Sequence, residues 1–462
     1  MSSNKEMKVS GLRFITWLIM LFLFYSCKKE ITITQKIKPE VVIAPGDSRL
    51  SFDDIHFVKD TVYIIATDII RNTSQTFTID AGTLIKVKNK IAITINPGGQ
   101  ILANGTKSEP VIFTSTASKG GGGQIVNTGA SDQNFWYGIS ITGSEGKSSG
   151  NMNFVRIEFA GGSRSIPGEA ALSLTEVDKL TIIQNIQVSY CFETPSFDFS
   201  GGNCNASKLV SYACVNSDFI IENGYKGMLQ NLLVYRHPYF ASSCDRGCNG
   251  IDLAGLIIKD DNSFPLISNL TVLGPGIQTG TGKKYSDTTS ITPSPIGNII
   301  SGSRVGGVII RGGKFIIRNT VLSGFPKGGF YLDNRASAVA LNNNYAEFTY
   351  SLTESNDSSR AFFLTPGVYP PYTSADFKQF ILRPQYHNRQ FYNLDDFGFT
   401  DPFNYDINPN LLPRPGSPVL SGANFDGADT FFQRVDYIGA LGTDNWMEGW
   451  VNFIPLQTDY NN

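Results

Sequence analysis

Short stretches of alternating apolar and polar residues follow one another through most of this 462-residue chain, and they constrain its fold more than any other feature. From Thr61 to about Asn344 they carry the two-residue period of β-strands, with Gly, Asn, Pro and Ser between them. No helical period of useful length interrupts them, so the helical crossovers of an ordinary parallel sheet have no room. Examples are TVYIIAT (61–67), GTLIKVK (82–88), AITIN (92–96) and PVIFTS (110–115).

Strands joined by such short turns remain parallel if the chain coils, with each coil stacked about 4.8 Å from the last. Five related segments support coiling: NIQVSYC (185–191), SKLVSYAC (207–214), NLLVYRH (231–237), NLTVLG (269–274) and NTVLSG (319–324). Equating Asn185, Ser207, Asn231, Asn269 and Asn319 gives steps of 22, 24, 38 and 50 residues, which indicates a solenoid with insertions. We therefore predict an all-β fold, a right-handed single-stranded parallel β-helix of roughly ten coils.

The repeated asparagines have a structural interpretation and a functional one. An asparagine amide can bond the same amide in the next coil, and Asn tolerates the left-handed backbone of a corner. Sugar binding is the alternative, and we favour the structural role.

We predict four segments along the chain. These are a lipoprotein signal peptide at 1–26, whose end is implied by the resemblance described in the next paragraph, a tether and N-terminal cap at 27–60, the β-helix at 61–345, and a C-terminal capping region at 346–462. The last region is predicted to pack against the final coils because it is rich in aromatic residues, namely Phe362, Phe363, Tyr369, Tyr372, Phe377, Phe380, Tyr386, Phe391 and Tyr392.

The N-terminus has the pattern of an export signal. Basic residues precede an apolar run from Ile15 to Tyr25, which is too short to span a bilayer. The ending LFLFYSC (21–27) resembles a bacterial lipoprotein signal, although Phe24 and Tyr25 are larger than the strictest motif prefers. The resemblance implies a lipid on Cys27, and the following Lys-Lys-Glu resembles the tag that sends Bacteroidetes lipoproteins to the outer face of the outer membrane. The alternative is an ordinary signal peptide with an incidental cysteine.

A wider resemblance covers nearly all the mature chain. The segments 82–115, WYGISITGS (136–144), VRIEFAGG (155–162), FDFSGGNCNASKLVSY (197–212), ISNLTVLGP (267–275) and YIGALGTDNWMEGW (437–450) resemble a Bacteroidetes surface lipoprotein family with a pectin-lyase-like β-helix. Membership implies surface location without an established reaction. Acidic residues recur in the central coils of that family, and Asp198 and Asp252 match such positions, while Ile220 does not.

Charge and motifs exclude several functions. The chain has 38 Lys+Arg against 40 Asp+Glu, so no basic surplus exists to bind nucleic acid. Three scattered histidines give little material for a metal site, and no cofactor motif is present, so we predict neither metal nor cofactor. Parallel β-helices often cleave polysaccharides, yet no catalytic signature accompanies the acidic residues, and we assign no catalytic residue.

Binding is the remaining function. We predict a noncatalytic cell-surface lipoprotein, adhesin-like, that binds a polysaccharide or a surface protein and contacts outer-membrane lipid through Cys27. The candidate ligand platform is Asp198, Asp218, Asp252, Tyr190, Tyr212 and Tyr235, although these tyrosines could instead lie beneath loops. The alternatives are a polysaccharide lyase or glycoside hydrolase with an unrecognised site, and a purely structural protein.

The cysteines indicate two candidate disulfides. Cys191 and Cys214 fall at nearly equivalent places in successive coils, at a separation that a disulfide accepts. Cys244 and Cys248 flank Asp-Arg-Gly in a predicted loop, and Cys204 is left as a buried thiol.

Overall fold

Parallel pairing between successive coils organises the chain. The computed structural model describes residues 38–117, 135–162, 164, 169–191, 194–214, 216–236, 253–274, 305–325, 328–355, 358–402 and 409–460. Cys27, Cys244, Cys248 and Asp252 lie outside these residues. In this part of the chain, seventeen strands form a first sheet and ten form a second, and each strand pairs in parallel with its counterpart one coil further on.

The opening coils are built from three short strands each. Ile55 and Phe57 point inward and face Phe77 and Ile79 of the next coil, whereas their neighbours along the strand are exposed. This alternation is the two-residue period of the sequence, and it stacks apolar rows inside the coil. The strands are β1 (Glu40–Ile43), β2 (Asp54–Phe57), β3 (Val62–Ile65), β4 (Ile69–Arg71), β5 (Thr76–Ile79), β6 (Leu84–Val87), β7 (Ala92–Ile95), β8 (Gln100–Asn104) and β9 (Val111–Ser115).

In the central coils, two strands of the first sheet merge into one bent strand. The strand at 150–158 pairs with both β8 and β9. The strands are β10 (Gly138–Thr142), β11 (Gly150–Glu158), β12 (Leu172–Thr175), β13 (Ile182–Ser189), β14 (Phe197–Ser200), β15 (Ala206–Tyr212), β16 (Phe219–Glu222), β17 (Met228–Tyr235), β18 (Leu253–Ile258), β19 (Leu266–Leu273) and β20 (Val305–Ile310).

The bend in each coil requires a left-handed residue, and four of the five residues proposed as equivalent occupy it. Asn185, Asn231, Asn269 and Asn319 all have φ between 51° and 58°. The equation of Ser207 with them was wrong by one residue, because Ser207 pairs with Gln184 and Lys208 has the positive φ. The steps are therefore 23, 23, 38 and 50 residues.

Insertions concentrate on one edge of the coil. Connections from the second sheet back to the first have five to seven residues in the central coils, as at 143–149 and 201–205. Connections in the opposite direction include 116–137 and 274–304. The edge with short turns, which we call the short-turn edge, is therefore the regular one.

The coiled pairing continues beyond 61–345 at both ends, because it begins at β1 and reaches Gln390. Its final elements are β21 (Ile316–Arg318), β22 (Val321–Ser323), β23 (Phe330–Leu332), helix α1 (Arg335–Asn342), β24 (Glu347–Thr349), β25 (Leu352–Thr353), β26 (Phe362–Leu364), helix α2 (Ser374–Ile381) and β27 (Arg389–Gln390), followed by the antiparallel hairpin β28 (Phe399–Asp401) and β29 (Asn410–Pro413).

Both ends of the stack are covered. At the start, the Arg71 guanidinium donates to the carbonyl oxygens of Leu50 and Phe52, which fixes a 3-10 turn over the edge of the second sheet. At the other end, α2 buries Phe377 and Ile381 against the last coils. Its N-terminus has a capping box, which satisfies two otherwise orphaned backbone groups.

The C-terminal region does more than cap the last coils. Residues 394–402 and 409–460, which we call the strap, form a second apolar core with the outer face of the first sheet. Phe453 packs edge-on against Tyr212 and Tyr235, with ring centroids 5.0 and 5.7 Å apart. Tyr460 reaches Glu158 near the start of the central coils. The strap therefore turns back along the flank of the solenoid.

Three side-chain amides hold the strap in the same way. Each donates to the carbonyl oxygen and accepts from the N–H of one strap residue, at 2.7 to 3.0 Å. The Asn269 amide also donates to strap carbonyls. The expected amide-to-amide bonds between coils are present, since Asn185 donates to Asn153 and Gln230 to Asn269, at 2.8 and 3.1 Å. Asn269 and Asn319 bond the strap backbone in addition. The three pairs, which we call amide clamps, are Asn319 with Asn424, Gln230 with Gln433, and Gln187 with Asn452.

Removal of one clamp tests the contribution of the strap to stability. We expect Gln230→Ala to lower the free energy of unfolding by about 1–3 kcal/mol, because two buried backbone groups lose their partner. Gln184→Ala removes an amide from the same outward row without touching the strap, and should change it by less than about 0.5 kcal/mol. Urea denaturation measures both, and equal losses would contradict the clamp.

Candidate functional site

The tyrosines of the predicted platform are buried. Tyr190, Tyr212 and Tyr235 lie on the outer face of the first sheet, in the apolar core beneath the strap. The platform prediction is therefore wrong for these residues, and the alternative that they lie beneath another part of the chain is correct. The sequence did not indicate that residues far along the chain, such as Phe453, would return to cover them.

Asp218 is inside the solenoid and is not part of an open platform. It forms a fully buried ion pair with Arg236, at 2.7 Å, and accepts a hydrogen bond from Ser211. Burial raises the pKa of Asp218 to about 6, although the Arg236 charge and the hydrogen bonds oppose the rise. The Asp218 carboxyl therefore pairs with groups inside the solenoid, and it is too deeply buried to contact a ligand.

Asp198 lies elsewhere, on the outer face of the second sheet. It sits between Ser173 of the preceding coil and Ile220 of the following one, with its residue only 2% exposed. Its Oδ1 atom has no hydrogen-bond partner among the described residues. Burial and then the Glu222 charge raise the pKa of Asp198 to about 8, although Lys259 opposes the rise, so its carboxyl is mostly neutral at pH 7.

The candidate disulfide between Cys191 and Cys214 is not formed. Both residues are buried free thiols, and the Cys191 N–H donates to the Cys214 sulfur at 3.4 Å. Burial raises the pKa of the Cys191 thiol well above its usual range. Cys204 is a buried free thiol. Cys191 and Cys214 do lie at equivalent positions of successive coils, as predicted. The shared register brings the two thiols together, but no disulfide joins them.

A row of polar residues, missed at the sequence level, follows the short-turn edge. Each residue ends or directly follows a strand of the second sheet, and parallel register places it beside its counterpart in the next coil. The signal was a repeated apolar-x-apolar-polar ending, as in ISIT, FDFS and FIIE. We call this row the edge ladder: Thr142, Thr175, Ser200, Glu222, Lys259, Arg311, Asp333 and Thr365.

The edge ladder mixes hydrogen-bond donors and acceptors. Lys259 pairs with Glu222 at 2.9 Å, and Arg311 with Asp333 at 3.7 Å. The two cationic side chains are 37% and 38% exposed, whereas their acidic partners are more buried. Thr365 donates to Asp333 at 2.5 Å. The row therefore places hydroxyl residues and two pairs of opposite charges at coil spacing, without a net charge.

Two further features limit the chemistry. Among the described residues, no group of three or more His, Cys, Asp or Glu side chains is arranged to hold a metal ion. Ile220 occupies the position beside Asp198 where a metal site would require a second acidic residue.

No helix in this part of the chain is both long and apolar enough to cross a bilayer.

A small pocket lies at the C-terminal end of the stack, between α1 and α2. Its lining is almost wholly apolar, so sugar hydroxyls placed there would lose hydrogen bonds to water without replacement. The lining residues are Leu332, Ala338, Leu341, Asn342, Leu364, Tyr369, Tyr372, Phe377 and Phe380.

The stacked parallel coils and the polar row along them define a parallel β-helix protein. Comparison with known families agrees with this class, because the model of a pectate-lyase-like β-helix domain matches residues 50–361. The match covers more than half of the chain, and the protein belongs to this family. No curated protein and no solved structure matches the sequence significantly.

The buried Asp198 carboxyl, whose Oδ1 atom has no hydrogen-bond partner among the described residues, gives a pH-dependent prediction. A carboxyl whose pKa is raised on folding binds more protons in the folded state, so its contribution to stability falls as pH rises from about 4 to about 8. We expect Asp198→Asn, which mimics the neutral acid, to raise the free energy of unfolding by about 1–3 kcal/mol at pH 8.5 and to change it little at pH 4.

Asp218→Asn is the matched control for Asp198→Asn. It leaves Arg236 as an unpaired buried charge, so it should destabilise the protein at pH 8.5 by about 3–5 kcal/mol. Denaturant titrations at the two pH values measure both variants. A loss of stability in Asp198→Asn at pH 8.5 would mean that its carboxyl has an ionic partner.

Proposed function

We propose that this protein is a noncatalytic, adhesin-like surface lipoprotein that binds glycan along the edge ladder. The observation that carries the proposal is the ladder itself, eight aligned polar positions on successive coils of the most regular edge. Adjacent strands lie about 4.8 Å apart, which is comparable to the repeat of an extended sugar chain.

The chemistry of the row favours a hydroxyl-rich ligand. Sugar hydroxyls both donate and accept hydrogen bonds, and the ladder offers threonine hydroxyls beside a run of four charged residues, although Ser200 and Asp333 within it are largely buried. The ion pairs between neighbouring positions hold these side chains in place, so less conformational entropy is lost on binding. Another polar surface component of similar spacing is the alternative ligand.

Binding along the ladder can be tested with a glycan array. We expect the mature chain to retain one or more glycans, and the double change Lys259→Ala with Arg311→Ala to weaken that binding at least tenfold, about 1.4 kcal/mol. Lys88→Ala removes an exposed cation directly after β6 and should leave affinity unchanged. Absence of any retained glycan, or equal binding by the double variant, would contradict the proposal.

A catalytic function is the second candidate, because one observation favours it. The neutral Asp198 and the Glu222 carboxylate occupy diagonal positions on successive coils, separated by roughly 8 Å, a spacing suited to a general acid and base. Release of reducing sugar from the array-selected glycans, abolished by both Asp198→Asn and Glu222→Gln, would establish hydrolysis. We expect no release, because Lys259 neutralises Glu222.

Anchoring at the outer membrane is proposed from the N-terminal pattern alone. The short apolar run and Cys27 support lipid attachment, and the following Lys-Lys-Glu supports display at the cell surface. Mass spectrometry of the mature protein should give an N-terminal peptide that begins at Cys27 and carries acyl chains. Cys27→Ser should abolish acylation and membrane association together, and an unmodified Cys27 would refute the anchor without affecting the glycan site.

A further inference from the structure

The amide clamps form a repeated device for recognising polypeptide backbone. In each clamp, one side-chain amide pairs with the N–H and the C=O of a single strap residue. Such pairing recognises the backbone N–H and C=O groups and does not depend on the side chain of the bound residue. The strap residues concerned are Asn424, Gln433 and Asn452, which all carry an amide side chain of their own, although the clamp bonds use only their backbone N–H and C=O.

The row that contains the Gln230 clamp continues past the strap. Parallel register aligns Gln230 with Ser207, then Gln184, then Asn153 and Asn104 in the preceding coils. Gln184, Ser207 and Asn153 are partly exposed and Asn104 is exposed, whereas Gln230 is buried beneath the strap. Among the described residues, none bonds the Gln184 side chain, although the Gln187 clamp lies three residues further along the same strand.

Apolar side chains lie beside this uncovered amide. Ile182 is two residues before Gln184 on the same face of β13 and is 45% exposed, and Leu180 in the preceding turn is 55% exposed. They are two of the few large apolar residues exposed in the described chain. Recognition of an extended peptide combines hydrogen bonds to its backbone with a surface for its apolar side chains. The Gln184 amide can supply the first, and Ile182 with Leu180 can supply the second.

We propose that this uncovered face, defined by Gln184, Ser207, Asn153, Ile182 and Leu180, binds an extended segment of a partner polypeptide. The face is continuous with the interface at which the Gln187 and Gln230 clamps already bind the backbone of the strap. Gln184 pairs with the backbone of the bound segment as Gln230 pairs with Gln433, and Ile182 with Leu180 contacts an apolar side chain. A glycan fits this face less well, because the apolar pair would desolvate hydroxyls without replacing their hydrogen bonds.

A peptide array tests the assignment. The mature chain is applied to immobilised 15-residue peptides of random sequence, and the retained peptides are measured again in solution. We expect Gln184→Ala and Ile182→Ser each to weaken binding at least tenfold. Gln100→Ala, which removes an amide from the first sheet two coils earlier, is the matched control and should bind normally. N-methylation of the peptide backbone should abolish binding, which distinguishes a clamp from side-chain contacts.

Three results would overturn the assignment. These are the retention of no peptide, equal binding by Gln184→Ala, and binding of a glycan instead of peptides that is lost in Gln184→Ala. The double variant of the edge ladder should bind the peptides normally, so failure here leaves the glycan proposal unaffected, and the reverse also holds. Circular dichroism melts confirm that each variant is folded before its binding is compared.

Discussion

Parallel register between coils is the constraint on which the rest of the structure depends. Each inward apolar residue rests on the corresponding residue one coil away, as Phe57 rests on Ile79, so the core is a set of continuous rows. The same register aligns whatever lies outside. A residue type that is repeated in sequence therefore becomes a row in space. The left-handed corner residues, the edge ladder and the outward amides are three such rows.

The strap adds a second constraint, because it decides which outward rows remain accessible. The first sheet has an apolar outer face at Val210, Leu233 and Val321, which would be costly to expose. The strap buries these side chains and pairs its own backbone through the clamps. The two surfaces to which we assign binding, the short-turn edge and the early part of the outward amide row, are therefore ones that the strap leaves uncovered.

Sequence reasoning found the coiled parallel fold because a two-residue period with short turns leaves few alternatives. It also found the corner asparagines, whose positive φ is a local property of the residue and its neighbours. It failed where the deciding contact was distant in sequence. Nothing near Tyr212 or Tyr235 indicates that Phe453 packs on them, and nothing near Asp218 indicates that Arg236 is its partner inside the coil. The edge ladder was within reach of sequence analysis, but alignment of the second-sheet strands was required to see that their final polar residues coincide.

Register along the edge ladder can be measured by cross-linking. Cysteines placed at Ser200 and Glu222, which are neighbours on successive coils, should form a disulfide under mild oxidation, because adjacent strands have a Cα separation that a disulfide accepts. Cysteines placed at Thr175 and Glu222 lie two coils apart and should not. Efficient cross-linking of the first pair and not of the second is the predicted result. Cross-linking of the second pair, or of neither, would contradict the stacked parallel coils.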